Sequence, residues 1–388
     1  MKNRYLDSNI VRDIKEKMVF ISGPRQVGKT TLAKHMGLNL FKTYAYLNWD
    51  YQPDRKKIIN YELPSDIQLL IFDELHKYKN WKNYIKGIFD KYKNNYSILL
   101  TGSARLDIYK KGGDSLAGRY HQYVLHPFSL AELLELKTDN KLFDKLFFSE
   151  NINGKKILET LIKYGPFPEP YLKKNDTHWR RWQIEKNERL IKEEIRDLTT
   201  LEDLSAIQIL VELLPGKIGS LLSINNLRED LEVAHKTLVN YLKVLELFYF
   251  HFRIYPYAKK TVRSLKKMAK LYLWDWSVID NEGVRFENLI ASHLLKYSHF
   301  LKNSQGYKTQ LNYLRDREGR EVDFLFTVDD KPWFAVEVKL EEEKSFLEYY
   351  QQRLKIPYVY QVVKKSGINY LKKGIRVISA DKFLTALI

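Results

Sequence analysis

The chain of 388 residues contains no cysteine, which excludes disulfides, thiolate metal ligands and a cysteine nucleophile. Long apolar runs are missing as well. No stretch reaches the roughly 18 apolar residues of a membrane helix, and the opening MKNRYLDSNIVRDIKEKM has no apolar signal core. A soluble, cytoplasmic protein without a membrane partner is the expectation. The nine histidines show no HExxH or other metal-ligand spacing, so no structural zinc is expected. A base-reading NKxD run is also absent, which makes ATP rather than GTP the expected nucleotide. Acidic residues are in short supply: 65 Lys and Arg face 48 Asp and Glu, for a net charge of +17. That excess favours polyanions, so DNA is the expected macromolecular partner, with a protein partner and a homo-oligomer left open. The bland alternative is a basic soluble protein that happens to be rich in Lys, Asn, Tyr and Ile.

What the chain does possess begins at residue 19. The run VFISGPRQVGKTT leads an apolar strand into Gly23, four residues, then Gly28, Lys29 and Thr30, which satisfies GxxxxGK[ST]. Gly23, Pro24, Arg25, Gln26, Val27, Gly28, Lys29, Thr30 and Thr31 are therefore the expected nucleotide-binding residues. In such a loop the backbone N–H groups form an anion nest, and the glycines let the chain pass close to phosphates. Lys29 should reach the β and γ phosphates and the Thr30 hydroxyl should hold Mg²⁺. A helix from about Thr31 would add the positive end of its dipole.

Further strands are expected at Thr43 to Asn48, Gln68 to Phe72, Tyr96 to Leu100 and Tyr120 to Leu125, separated by helical or looped stretches. That alternation predicts a parallel sheet covered on both faces. The second of these runs ends in Asp73 and Glu74. Its apolar residues deliver the pair to the C-terminal edge of the sheet, where ligands bind. Asp73 should hold Mg²⁺ through water, and Glu74 should polarise the attacking water. The next strand should lie beside the phosphate-loop strand and ends in Thr101, Gly102 and Ser103. Thr101 or Ser103 would sense the γ phosphate, unless the segment is only a Gly/Ser turn. Arg119, just before the last strand, is an expected arginine finger or phosphate sensor, against the plain reading of a solvated arginine.

The segments GPRQVGKTT, LLIFDELHKYKNW, LLTGSARL, LAGRY and HPFSLAEL together resemble the archaeal and bacterial family of AAA-type ATPases that carry a winged helix and a restriction-endonuclease-like C-terminal domain of unknown function. The resemblance runs nearly end to end and implies an ATP-binding, ATP-hydrolysing domain at the front.

Beyond residue 128 the pattern turns helical, broken at Gly165 to Pro170 and at Pro215–Gly216, as prolines require. A helical lid over 129–215 is expected. Ser223 should cap a helix to Asp230, and Lys236 to Phe248 should form a second. A strand, His251 to Tyr255, and another, Leu271 to Trp274, flank a basic stretch. Helix, turn, helix and wing would make a winged-helix-like domain over 216–280. Lys236, Lys259, Lys260, Arg263, Lys266, Lys267 and Lys270 are the expected DNA contacts. The alternatives are a solvated loop and a protein-binding module.

From 281 to 388 the order helix, three strands, helix, strand matches a PD-(D/E)xK nuclease-like core. Glu337 and Lys339 leave one face of a strand. Pairing that strand with its neighbour across Asp329–Lys331 centres the hairpin on residue 330 and sets Asp323 opposite Glu337. With Glu287 from the preceding helix, these residues would form a second Mg²⁺ site, Lys339 orienting water. An amphipathic hairpin with charges at its rim is the bland alternative. The expected fold is α/β: a P-loop NTPase core of the ASCE/AAA type over 1–128, then lid, winged helix and nuclease-like domain. The expected function is an ATPase acting as a nucleotide-driven switch or motor on DNA. The alternatives are a protein-interaction switch with an inactive nuclease-like domain and an ATP-gated nuclease.

Overall fold

Apolar runs and the breaks between them set the architecture. The computed structural model describes residues 3–103, 116–136, 140–149, 152–196, 204–258 and 268–388. The chain divides into two units, Met1–Pro127 with Leu247–Tyr249, and Phe128–Glu246 with Phe250–Ile388.

In the first unit, α1 (Asp7–Asp13) precedes β1 (Met18–Ser22), and α2 (Lys29–Leu40) follows the phosphate loop. Next come β2 (Tyr44–Asn48), α3 (Gln52–Ile59) and β3 (Leu69–Asp73), then α4 (Trp81–Tyr92), β4 (Ser97–Gly102) and β5 (Tyr120–Val124). The five strands are parallel in the order β2-β3-β4-β1-β5. Every residue of β1 and β3 is buried, as strands with both faces covered must be. On one face, Phe20, Leu70, Phe72 and Leu100 pack with Trp81, Tyr84, Ile85 and Ile88. The last four recur at helical spacing and form the apolar stripe of α4. Register brings the strand ends together: Ser22 lies beside Gly102, and Asp73 beside Asn48 and Thr101. The segments that begin at Gly23, Glu74 and Ser103 therefore leave the same edge of the sheet, the edge at which open α/β sheets bind ligands.

The second unit opens with short helices, α5 (Leu130–Leu133), α6 (Lys155–Tyr164), α7 (Pro168–Lys173) and α8 (Asp176–Arg189). The expected break is real but shorter than Gly165 to Pro170: Gly165 ends α6 with φ +79°, and Pro168 starts α7, which takes in Pro170 as well, Pro168 standing where its missing N–H costs nothing. After α9 (Leu204–Leu213) come the two helices expected of the helix-turn-helix, α10 (Ile224–Asp230) and α11 (His235–Leu247). Ser223 caps α10 by accepting from the Asn226 N–H at 3.3 Å.

The following strands, β6 (His251–Pro256) and β7 (Lys270–Leu273), pair antiparallel as a wing would. They are not free, however. β6 also pairs with β8 (Thr309–Arg315) through Tyr255 and Asn312, so the hairpin forms the edge of an eight-stranded mixed sheet, β12-β13-β11-β10-β9-β8-β6-β7. The other strands are β9 (Glu321–Val328), β10 (Lys331–Lys339), β11 (Tyr358–Val363), β12 (Asn369–Lys372) and β13 (Ile375–Ser379). Two helices, α12 (Glu282–Gln305) and α13 (Leu347–Leu354), complete the expected helix, three-strand, helix, strand order. Leu325, Ala335, Leu347 and Val359 share one core there.

Candidate functional site

Gly23 enters the phosphate loop with φ +148°, and a Cβ on it would run into the Leu125 carbonyl oxygen. Only glycine fits. Gly28, with φ +98°, stands at the N-cap of α2, so the first amides of that helix open toward the loop. Lys29 is buried, and its ammonium donates to the carbonyl oxygens of Gly23 at 2.9 Å and Pro24 at 2.8 Å. Val27 is buried, Arg25 and Gln26 are half-buried, and Thr31 is exposed on the first turn of α2. Arg4, which no motif marks, braces this loop from outside the pattern. It is 5% exposed, with Nη1 donating to the Val27 carbonyl at 2.9 Å and Nη2 to the His126 carbonyl at 2.7 Å.

Three hydroxyls converge on Asp73, itself 3% exposed. Thr30 Oγ1 and Tyr46 Oη each donate to Oδ2 at 2.7 Å, and Thr101 Oγ1 donates to Oδ1. The expected Thr30–Asp73 pair is therefore assembled. Tyr46, on β2, was not marked by the sequence. Burial and the Asp73 carboxylate both push its phenol up, so it stays protonated and can only donate here. Glu74 follows with φ +56°, a left-handed conformation uncommon outside glycine. Its N–H donates to the Thr101 carbonyl at 3.1 Å. His76 Nε2 lies 3.5 Å from Glu74 Oε2, and burial pushes the imidazole down to about 3, so it remains neutral. Ser103 is buried just past the end of β4. The donor set suits Mg²⁺ and a triphosphate: a hydroxyl and a carboxylate for the hard cation, with an ammonium and helix amides for the phosphates.

Arg119 stands elsewhere. It precedes β5, and its carbonyl accepts from the N–H of Met18 at the start of β1, so it lies at the opposite edge of the sheet. Five residues of β1 separate it from Gly23, roughly 16 Å at the rise of a strand. Its guanidinium pairs with Asp90 at 2.8 Å. Arg119 does not join the phosphate site of its own chain.

The carboxylate cluster of the second unit does form. Asp329 and Asp330, with φ +49° and +62°, make the two-residue turn that a right-twisted hairpin favours. A bulge between Pro332 and Phe334 then shifts the register by one, to Val336 opposite Phe324. Extended by one residue, that register sets Asp323 against Glu337. Asp323 Oδ2 accepts from the Val338 N–H at 2.8 Å, and Glu337 Oε2 from Ser345 Oγ at 2.5 Å. Lys339 Nζ is 3.6 Å from Glu337. Burial, then Glu287, pushes Asp323 up to about 8, and burial also raises Glu337.

The expected DNA-contacting Lys270 is the correction. It is 3% exposed, with its ammonium among these acids rather than at the surface. Among the described residues, no group of three or more His, Asp and Glu is arranged to hold a metal ion. Of the other expected DNA contacts, Lys236 is exposed, while Lys259, Lys260, Arg263, Lys266 and Lys267 lie outside the described residues. No helix among the described residues is long and apolar enough to cross a membrane.

Comparison with known proteins agrees with the front of the chain. Residues 15–134 match an AAA domain, residues 155–281 a domain of unknown function (DUF8612), and residues 282–383 another (DUF4143). The uncharacterized protein MJ1637 of Methanocaldococcus jannaschii is 24% identical over 389 residues, covering 88% of this chain and 79% of that protein. Among solved structures, the RuvB Holliday junction branch migration motor of Thermotoga maritima is 16% identical, with a TM-score of 0.30 over 61% of this chain and 82% of that one. A variant of the same RuvB is 15% identical, with a TM-score of 0.33 over 64% and 88%. Along the chain, then, a segment similar to an AAA domain is followed by segments similar to two domains of unknown function, and the whole resembles MJ1637 at a distance.

Proposed function

We propose that this protein is an ATP-hydrolysing switch that acts on DNA. The observation that carries the ATPase reading is the Asp73 carboxylate, held 2.7 Å from the Thr30 hydroxyl at the mouth of a complete phosphate loop. Lys29 exchanges its bonds to the loop carbonyls for bonds to β and γ phosphate oxygens, and the α2 amides receive the remaining negative charge. Thr30 would hold Mg²⁺ directly and Asp73 through water, and the cation would supply positive charge to offset the charge that builds during transfer. Glu74 orients and deprotonates the attacking water, whose oxygen bonds to the γ phosphorus as the β–γ bridging bond breaks, leaving ADP and phosphate. Thr101 keeps Asp73 in place through Oδ1, and Ser103, buried just past β4, would sense the γ phosphate.

DNA enters through the net charge of +17 and exposed lysines such as Lys236. A second reading, a switch that grips a protein partner, is favoured by the burial of Lys270 away from any backbone phosphate. Phosphate release in Mg²⁺, measured with and without DNA across a salt series, separates them. A Glu74→Gln chain should bind ATP and lose turnover by about a hundredfold or more. Turnover indifferent to DNA, with no DNA binding at any salt, would leave the protein-partner reading standing. Full turnover in Glu74→Gln would remove the assigned base.

A further inference from the structure

We propose that the Lys270 ammonium fills, from within the chain, the place a divalent cation takes in a carboxylate-built site, so that this cluster binds no catalytic metal. Carboxylates from two elements converge on it. Nζ lies 2.5 Å from Glu321 Oε1 and 3.9 Å from Asp323 Oδ1, both on β9, and 3.6 Å from Glu287 Oε1 on α12. Lys270 itself comes from β7, all four of whose residues are buried.

An unpaired ammonium so deeply buried would be strongly disfavoured. The surrounding carboxylates offset that cost, and Lys270 in turn allows acids to crowd together in the interior. The spread of N–O distances suits an ammonium with three rotatable donors. Mg²⁺ would need its oxygens at about 2.0–2.1 Å in near-octahedral array.

Protein donors also engage these carboxylates, in one case at the oxygen nearest the ammonium. Tyr272 Oη donates to Glu287 Oε1 at 2.7 Å, and Arg315 Nη1 lies 2.7 Å from Glu321 Oε2. Asp323 Oδ2 and Glu337 Oε2 are taken by Val338 and Ser345. A metal would have to displace the buried ammonium and reorganise these bonds together. The domain thus has the acids of a hydrolytic site with a fixed charge at its centre, which suits binding rather than cutting. The inference stands whether or not the ATPase reading does.

Manganese binding to the full-length, nucleotide-free chain tests it. In an Asp73→Asn background, which removes the ion of the phosphate site, no tight Mn²⁺ site should remain. A tight ion that disappears on adding Glu287→Gln would overturn the proposal. Adding Lys270→Met instead should create one Mn²⁺ site per chain, at least tenfold tighter than any in its parent. A folded Lys270→Met chain that gains no such site would also overturn it. If that variant does not fold, the Asp73→Asn comparison with and without Glu287→Gln still decides the matter.

Discussion

Tyr46 and Thr30 donate to the same oxygen of Asp73, Oδ2, each at 2.7 Å. The residue assigned to the nucleotide's cation is thus also held by a phenol from the neighbouring strand. With an ion bound as proposed, Tyr46 would compete with its water for that oxygen.

Replacing Tyr46 with Phe should therefore ease Mg²⁺ binding. A hydrogen bond to a carboxylate is worth about 1.5 kcal/mol, so the Mg²⁺ needed for half-maximal ATP turnover should fall by about tenfold. Turnover measured against Mg²⁺ at saturating ATP is the check. An unchanged or raised Mg²⁺ requirement would show that Tyr46 supports the ion site instead.

Arg4 should matter more than its position suggests. Arg4→Met keeps the apolar stem and removes the donors to the Val27 and His126 carbonyls. Each buried carbonyl left without a partner costs about 1–3 kcal/mol. The melting temperature should drop, and half-saturating ATP should rise about tenfold as the loop loosens. ATP titrations of a variant that still melts cooperatively would expose a merely structural role if affinity were unchanged.

Arg119→Ala should leave turnover within about twofold, because an exposed pair such as Arg119–Asp90 contributes little. A hundredfold loss would mean that Arg119 acts on the site of a neighbouring copy. Mixing Arg119→Ala with Lys29→Ala chains would reveal this by partial recovery of activity.

Acid should destabilise the second unit through His293. Its Nε2 accepts from the Leu130 N–H at 3.1 Å, while Nδ1 donates to the Leu289 carbonyl at 2.8 Å. That geometry requires the neutral ring, and burial pushes the imidazole down to about 4. Below its usual value of about 6.5, the unfolded chain takes up a proton that the folded chain refuses. Stability is complete above that pH and falls as pH drops toward 4, by about 1.4 kcal/mol per unit. Urea midpoints from pH 7 to 4 should show the slope, and His293→Gln should flatten it. An equally steep slope in His293→Gln would assign it to another group.

Local chemistry made much of the fold legible. The strands around Asp73 and Thr101 follow from short apolar runs ending in polar residues, and Gly23 to Thr30 is a contiguous loop whose spacing carries its own geometry. The Asp323–Glu337 register was counted across a three-residue loop, Asp329 to Lys331; the hairpin instead closes over two residues with Lys331 already paired, and a bulge between Pro332 and Phe334 restores the same register. Arg119 precedes its strand, which in a parallel sheet puts it at the edge away from the phosphate loop of its own chain; a role in the site of a neighbouring copy was left open by the sequence.

By itself, the amino-acid sequence determined the phosphate loop, the acid pair at Asp73 and Glu74, and much of the order of strands and helices, though not β12 and β13. Each depends on neighbours within a few residues, where backbone periodicity acts directly. Only the tertiary structure decided that Tyr46 and Arg4 belong to the nucleotide site and that Lys270 belongs among carboxylates instead of on a basic surface. Lys270 meets Glu287, Glu321 and Asp323 from other elements of the fold. Charge in a sequence has a sign but no depth, and it is burial that turns the same lysine from a phosphate contact into an internal counter-ion.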